Sequence, residues 1–252
     1  MRIDPLIQWM KQVHGKVSSA MYAPLLGQTN SQHIAFLRSL EKEMEAEKGL
    51  HTPLQDLNVV VFDFETTGFS PEQGDQILSI GAVKSKGWTV SNNEFYSAVH
   101  FDGDLPQKVK ALTGLEESQL REAPALSDVL FEFYQFVQGD TLVAHHANHE
   151  KKFLQQANWK FYKSSVKHRI VDTSLIFNVA VPEENITSLE DYCAHSGISI
   201  RDRHHALGDA KMTAQLWSIY LKKLHEEGCD TLSDVYDRVA KYLQMQKDVD
   251  IV

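Results

Sequence analysis

The sequence predicts an α/β fold, and three observations carry that prediction. Runs rich in Val, Ile and Phe at residues 58–68, 77–83 and 94–99 read as strands, separated by the turn-prone stretches SPEQGDQ and KSKG. Past residue 100 the spacing changes: 125–138 is helical, followed by short apolar strands at 141–144 and 170–173. Strands first and alternation afterwards describe one α/β domain over about residues 56–225. The short early connections predict antiparallel neighbours among the first three strands.

Composition bounds what such a domain does. The chain has 252 residues, enough for one domain with appendages. Its 25 basic and 34 acidic residues give a net charge of -9, which argues against a simple nucleic-acid coater. An enzyme that holds metal ions in an acidic site is not excluded by that balance. The two cysteines, Cys193 and Cys229, form no CxxC pair, so neither a disulfide scaffold nor a cysteine-based zinc site is expected. The first residues carry early charges and no apolar core of a secretory signal. No run approaches the roughly 20 apolar residues that span a bilayer. The expectation is a reduced, cytoplasmic protein without a membrane segment.

Taken in order, residues 1–55 read as an N-terminal helical extension. Asp4-Pro5 starts one helix, with Leu6, Met10, Val13 and Val17 on its apolar side. Ser31 caps a second, carrying Ile34, Leu37, Leu40 and Met44, with Gly49 as its stop. Two such helices bury little alone and are expected to pack on the main domain, with a partner-binding or substrate-guiding role open to them. Residues 51–57 read as a polar linker. After the domain's own helices at 188–195 and 205–224, residues 226–252 form a C-terminal helix centred on 233–246.

The chemistry begins in NVVVFDFETTG. Alternation along a strand puts Asp63 and Glu65 on one face with Val59 and Val61, and Phe62 and Phe64 on the other. Two close, partly buried carboxylates repel, and a divalent cation relieves the conflict. Thr66, Thr67 and Gly68 follow as a turn that a substrate backbone can approach. A third acid, Asp209, shares a helical stripe with Ala206, Ala210, Thr213, Leu216 and Tyr220, so it faces inward and needs a partner. His204 sits just before that helix, where it is expected to be solvent-reachable and mobile. AHHANHEKKFL, residues 144–154, offers His145 and His149 at the i, i+4 spacing that clamps zinc on a helix face, although that helix is expected to start only near His146 and no third ligand is evident.

In this order the segments resemble the DEDDh group of 3′–5′ exonucleases, which includes the proofreading epsilon subunit of bacterial DNA polymerase III and the exonuclease domain of the Gram-positive replicative polymerase. FDFETTG matches the first motif and HHALGDA the third, with His204 five residues before Asp209. ALTGL (111–115), VDTSLIF (171–177) and SLEDYCAHSGI (188–198) fall in the expected order between them. The resemblance spans about residues 57–222. In the second motif, usually His-Asn-x-x-Phe-Asp, this chain has His146, His149 and Glu150, and keeps Phe153 and Leu154 as helix anchors.

That resemblance implies a ribonuclease H-like mixed sheet flanked by helices and two-metal phosphodiester hydrolysis. Asp63 would bridge two Mg²⁺ or Mn²⁺ ions, Glu65 and Asp209 would hold one, and Glu150 would support the other. His204 would orient or deprotonate water, and Thr66 and Thr67 would lie against the terminal nucleotide of a nucleic acid with a free 3′ end. The glutamate's extra methylene implies either direct reach to the metal or displacement of the second ion. The expected enzyme is active but slower, or more manganese-dependent, than an aspartate-bearing relative. The alternative is a catalytically weakened module that binds nucleic-acid ends or a replication or repair partner.

Overall fold

The computed structural model describes residues 31–43, 48–182, 184 and 186–249. The helix expected at Asp4-Pro5 lies outside the described residues, as does Met44. Five strands form one sheet in the order β3-β2-β1-β4-β5. β1 (Asn58–Thr66), β2 (Ile77–Lys86) and β3 (Thr89–Ala98) form an antiparallel meander. β4 (Thr141–Ala144) and β5 (Ile170–Asp172) continue the sheet parallel to β1. β1 is therefore central and covered on both faces, which is why its sequence is a nearly unbroken apolar run.

Helices flank both sides. Along the chain they are α1 (Ser31–Glu43), α2 (Lys48–His51), α3 (Gln107–Thr113), α4 (Glu117–Glu122) and α5 (Leu126–Val137). After β4 come α6 (Asn148–Tyr162), α7 (Thr173–Ala180), α8 (Leu189–His195), α9 (Ala206–Glu226) and α10 (Leu232–Val249). Val59, Val61 and Val143 pack against α7, α8, α9 and α10, where Trp217 and Leu232 are fully buried. Val60, Phe62 and Phe64 pack against α5 and α6 on the opposite face, joined by Leu37 and Leu40 of α1. The N-terminal helix thus docks on the domain as its apolar side predicts.

Several local expectations are corrected. β2 and β3 run three and five residues further into the hairpin than expected, so KSK belongs to β2 and only Gly87 and Trp88 turn. Gly49 does not stop a helix; it lies within α2, and a Cβ there would be 2.6 Å from the Thr141 hydroxyl. Residues 51–57 are no polar linker: Leu54 and Leu57 are core residues, and Pro53 bridges to Thr231 beside a Leu54 N–H to Asp230 O bond of 2.8 Å. The short helices α3 and α4 were not readable from spacing; they cover a small cluster of Leu78, Phe101, Leu105, Leu115 and Leu120.

Candidate active site

β1 presents Asp63 opposite Gly81 and Glu65 opposite Ser79, both toward the α9 side of the sheet. The absence of a side chain at Gly81 sets what happens there. A Cβ at that position would lie 2.1 Å from the Leu207 nitrogen and 2.2 Å from the Ala206 carbonyl carbon, so the first turn of α9 rests directly on β2. His205 stacks on Tyr96 at 4.5 Å and Lys211 pairs with Glu94 at 2.8 Å, fixing the same end of the helix. This close approach carries Asp209 to β1. One oxygen from each of Asp63, Glu65 and Asp209 lies within 4.8 Å of the others, and Asp209 is 3% exposed.

The turn before α9 is wound tightly. Asp202 and His204 are both left-handed, with φ of 49° and 61°. Each costs on the order of 1 kcal/mol or more in a residue with a Cβ. The turn is held by the His204 N–H, which donates to both Asp209 oxygens at 3.3 Å, and by the His205 N–H donating to Asp202 O at 3.2 Å. Gly208 makes room, since a Cβ there would lie 2.1 Å from the Asp202 carbonyl oxygen. His204 is accordingly half-buried, with its backbone N–H bonded to Asp209. Burial and the charge of Arg203 hold its imidazole below the usual histidine range.

Arg203 is the residue that sequence reasoning missed. The left-handed turn points it inward, where it forms an ion pair with Asp209 and donates from Nε to Glu190 at 2.8 Å. Its Nη1 lies 3.2 Å from His204 Nδ1. A guanidinium thus stands among the acids of the site as their protein-borne cation.

Glu150 arrives from the other side. β4 ends at Ala144 beside β1, His146 takes a left-handed turn (φ 55°), and α6 starts at Asn148 with Glu150 in its first turn. Phe153 and Leu154 are buried and anchor the helix. The histidines diverge. His145 Nδ1 bonds Thr173 Oγ1 at 2.9 Å, His146 Nε2 bonds Thr187 O at 3.1 Å, and His149 Nε2 faces Thr66 Oγ1 at 3.3 Å. His145 precedes the helix, so the i, i+4 zinc clamp does not form. Among the described residues the one group of three or more ligating side chains is Asp63, Glu65 and Asp209. Glu150 stands outside that tight group, 4% exposed, with Oε2 buried and unpartnered.

The turn after β1 completes the rim. A register shift between Glu65 and Thr66 ends regular pairing. The Thr66 hydroxyl donates to Gly68 O at 2.7 Å, and the Thr67 hydroxyl donates to Asp75 Oδ1 at 3.0 Å. Asp75 also accepts from the Ser70 N–H at 2.9 Å, and a Cβ on Gly68 would lie 2.3 Å from its carboxylate. Asp75 therefore closes the loop, a role with no signal in the sequence. The resulting cleft has a volume of about 540 Å³ and is lined by all five expected catalytic residues, Asp63, Glu65, Glu150, His204 and Asp209, together with Thr66, Thr67, Phe69, Leu112 and Arg203.

The electrostatics follow from crowding. Burial raises the Asp63 carboxyl well above the usual range, and repulsion from Glu150, Asp209 and Glu65 adds to it. Burial, with repulsion from Asp209, pushes Glu65 up to about 8. Burial pushes Glu150 up to about 8 and Asp209 to about 6, the latter restrained by Arg203. One arginine does not neutralise four acids. An all-oxygen donor set of this kind, with an unpartnered buried carboxylate oxygen beside it, fits a divalent cation.

The RNase_T family model, described as "Exonuclease", matches residues 60–217. The chain belongs to this exonuclease family. It is 33% identical over 201 residues to a DNA polymerase III subunit epsilon-like protein of Rhodobacter capsulatus, covering 79% of this chain and 28% of that protein. It is likewise 33% identical over 193 residues to a PolC-type DNA polymerase III of Clostridium perfringens, covering 77% of this chain and 13% of that one. The chain thus spans under a third of the length of these relatives. Among solved structures, the nuclease domain of 3′hExo, a DEDDh family member bound to rAMP, shares the fold with a TM-score of 0.56 at 18% identity, covering 69% of this chain and 94% of that one. Exonuclease X in complex with 5′ overhanging duplex DNA gives 0.55 at 20% identity, covering 73% and 99%. The expected mixed sheet flanked by helices and the resemblance to exonucleases of the polymerase III epsilon kind both hold. Among the described residues no helix is long and apolar enough to cross a membrane.

Proposed function

We propose that this chain is a metal-dependent 3′–5′ exonuclease that releases nucleoside 5′-monophosphates from the 3′ ends of DNA or RNA. The observation that carries this reading is the convergence of acids from β1, α6 and α9, with His204, on one cleft. Asp63, Glu65, Glu150 and Asp209 would hold two Mg²⁺ or Mn²⁺ ions. Bound there, such ions stabilise the attacking and leaving oxygens of an in-line displacement. The chain's own residues do the rest. Thr66 and Thr67, fixed by Gly68 and Asp75, form the wall for the terminal nucleotide. His204, kept neutral near pH 7 by its lowered pKa, accepts the proton of the attacking water at Nε2. In this structure Arg203 donates toward Nδ1, which leaves the ring proton on Nε2, so the guanidinium must withdraw and the ring proton pass to Nδ1 before that step.

Two buried cysteines outside any disulfide support a reducing, cytoplasmic setting. A replication or repair protein would serve as partner, a reading supported by the similarity to polymerase III proteins. The rival reading, a module that binds ends without cleaving them, is met by the same experiment. A 5′-labelled single strand should be shortened stepwise from its 3′ end, with a chelator abolishing the ladder. Asp63→Ala should lower that rate by about a thousandfold or more. Full activity in purified Asp63→Ala protein overturns the assignment.

A further inference from the structure

The segment just beyond Glu150 is strongly basic. Residues 151–171 contain six lysines and arginines and no acid, while the remaining residues hold 19 basic against 34 acidic. The segment comprises most of α6 and the loop leading into β5. Its charges are not spent on the fold. Lys151, Lys152, Lys160, Lys163 and Lys167 are exposed, and none of them is in an ion pair among the described residues. Arg169 differs, being half-buried and bonded to Tyr236.

The exposed positions share one face. Lys152, Gln155, Gln156 and Trp159 recur at three- and four-residue spacings, opposite the buried Phe153, Leu154 and Ala157. Trp159 is 64% exposed in the middle of this polar face. A groove of about 370 Å³ lies between α6 and the 166–170 loop, lined by Lys151, Gln155 and Lys167. The face starts at the cleft rim, where Gln156 donates to Pro71 O at 2.6 Å and Glu150 enters the cleft. From Glu150 to Tyr162 the helix extends about 20 Å outward.

We infer that the outer face of α6, continued by Lys163 and Lys167, is a docking track for the phosphate backbone of the nucleic acid upstream of its 3′ end, with Trp159 stacking on a base. An acidic protein repels polyanions over most of its surface, so a basic stripe running from the cleft selects where a strand leaves it. Lysines supply phosphate contacts without reading sequence, and an indole accepts any base. The track's length matches about six nucleotides of a strand. The inference rests on the nuclease reading for the identity of its ligand and adds a site outside the catalytic cleft.

The test compares the full chain with a Lys160→Gln, Lys163→Gln, Lys167→Gln triple variant, its Lys→Glu counterpart, and Trp159→Ala. Binding of a long, dye-labelled single strand is measured in chelator at several salt concentrations. Turnover of a dinucleotide, too short to leave the cleft, is measured with metal. The Gln triple variant should bind the long strand about tenfold more weakly, with a salt slope shallower by about 2. The Glu variant should bind more weakly still, and Trp159→Ala by about tenfold. Dinucleotide turnover should stay within twofold. Long-strand affinity and slope unchanged in both triple variants overturn the inference, as does a parallel fall in dinucleotide turnover. Failure of the nuclease reading looks different: the unaltered protein degrades neither substrate, yet long-strand binding still falls in the variants.

Discussion

Asp209 and Glu150 reach the same cleft from opposite sides and are held in opposite ways. Asp209 comes on α9 with its oxygens satisfied by the His204 N–H and the Arg203 guanidinium. Glu150 comes on α6 just as buried, with Oε2 unpartnered. One flank of the site is complete within the protein. The other is stable only as a protonated acid or with a cation supplied from outside. The difference teaches that a metal site can be organised on one flank and left open on the other, so the two acids should respond differently to the same substitution.

The largest effect is expected where the α9 flank is displaced as a whole. Gly81→Ala forces a methyl group into the backbone of the first turn of α9. Exonuclease turnover should fall by on the order of 100-fold or more, because a shift of about 1 Å in Asp209 suffices. Turnover within twofold of the parent protein would show that α9 does not need this contact.

Exchanging each acid for its amide, in chelator, tests the comparison directly. Asp209→Asn relieves a buried charge but leaves Arg203 without its inner partner, so in chemical denaturation it should be less favourable to the fold than Glu150→Gln, by about 1–2 kcal/mol. Glu150→Gln removes an acid whose ionisation nothing in the protein balances, and should leave stability unchanged near pH 4.5 and raise it progressively as the pH climbs toward 8. Equal losses in both variants would erase the contrast.

Shortening the acid on the open flank probes its reach. Glu150→Asp should raise magnesium-supported turnover by about tenfold and narrow any preference for manganese. A fall in turnover would show instead that the longer side chain suits this site.

The smallest effect is on pH dependence. Between about 4.5 and 8 the folded, metal-free protein keeps protons on Glu150 and Glu65 that the unfolded chain has released. Stability in chelator therefore falls as pH rises through that window, and saturating Mg²⁺ or Mn²⁺ should flatten the fall. Melting temperatures taken across the window with and without metal read this out. A flat profile in chelator would mean that both Glu150 and Glu65 ionise freely.

The parts of this arrangement that were legible in sequence are those governed by local periodicity. A two-residue repeat puts Asp63 and Glu65 on one face of β1, and a helical stripe turns Asp209 inward. Glu150 was legible only through its place in the motif order, because nothing local distinguishes it from the lysines that follow. Arg203 stayed hidden inside RDR, which reads as a polar run. Its inward aim depends on left-handed backbone at Asp202 and His204, residues that carry no glycine signature for it. Gly49 misled for a related reason: a glycine that stops a helix and one that admits a neighbour's side chain look alike in sequence. The role of Gly81 likewise depends on a contact across 125 residues of chain, with Ala206, that no local pattern encodes.

Gly81 has an electrical consequence as well as a steric one. The first turn of a helix exposes backbone N–H groups and carries the positive end of its dipole, equivalent to about half an elementary charge. α9 is 21 residues long, and the missing methyl group on β2 lets that end settle beside Asp63, Glu65 and Asp209. Each nearby anion gains about 0.3–1 kcal/mol from such a field. A hydrogen atom in place of a side chain, on a strand that contributes no acid of its own, thereby helps three carboxylates share one small space.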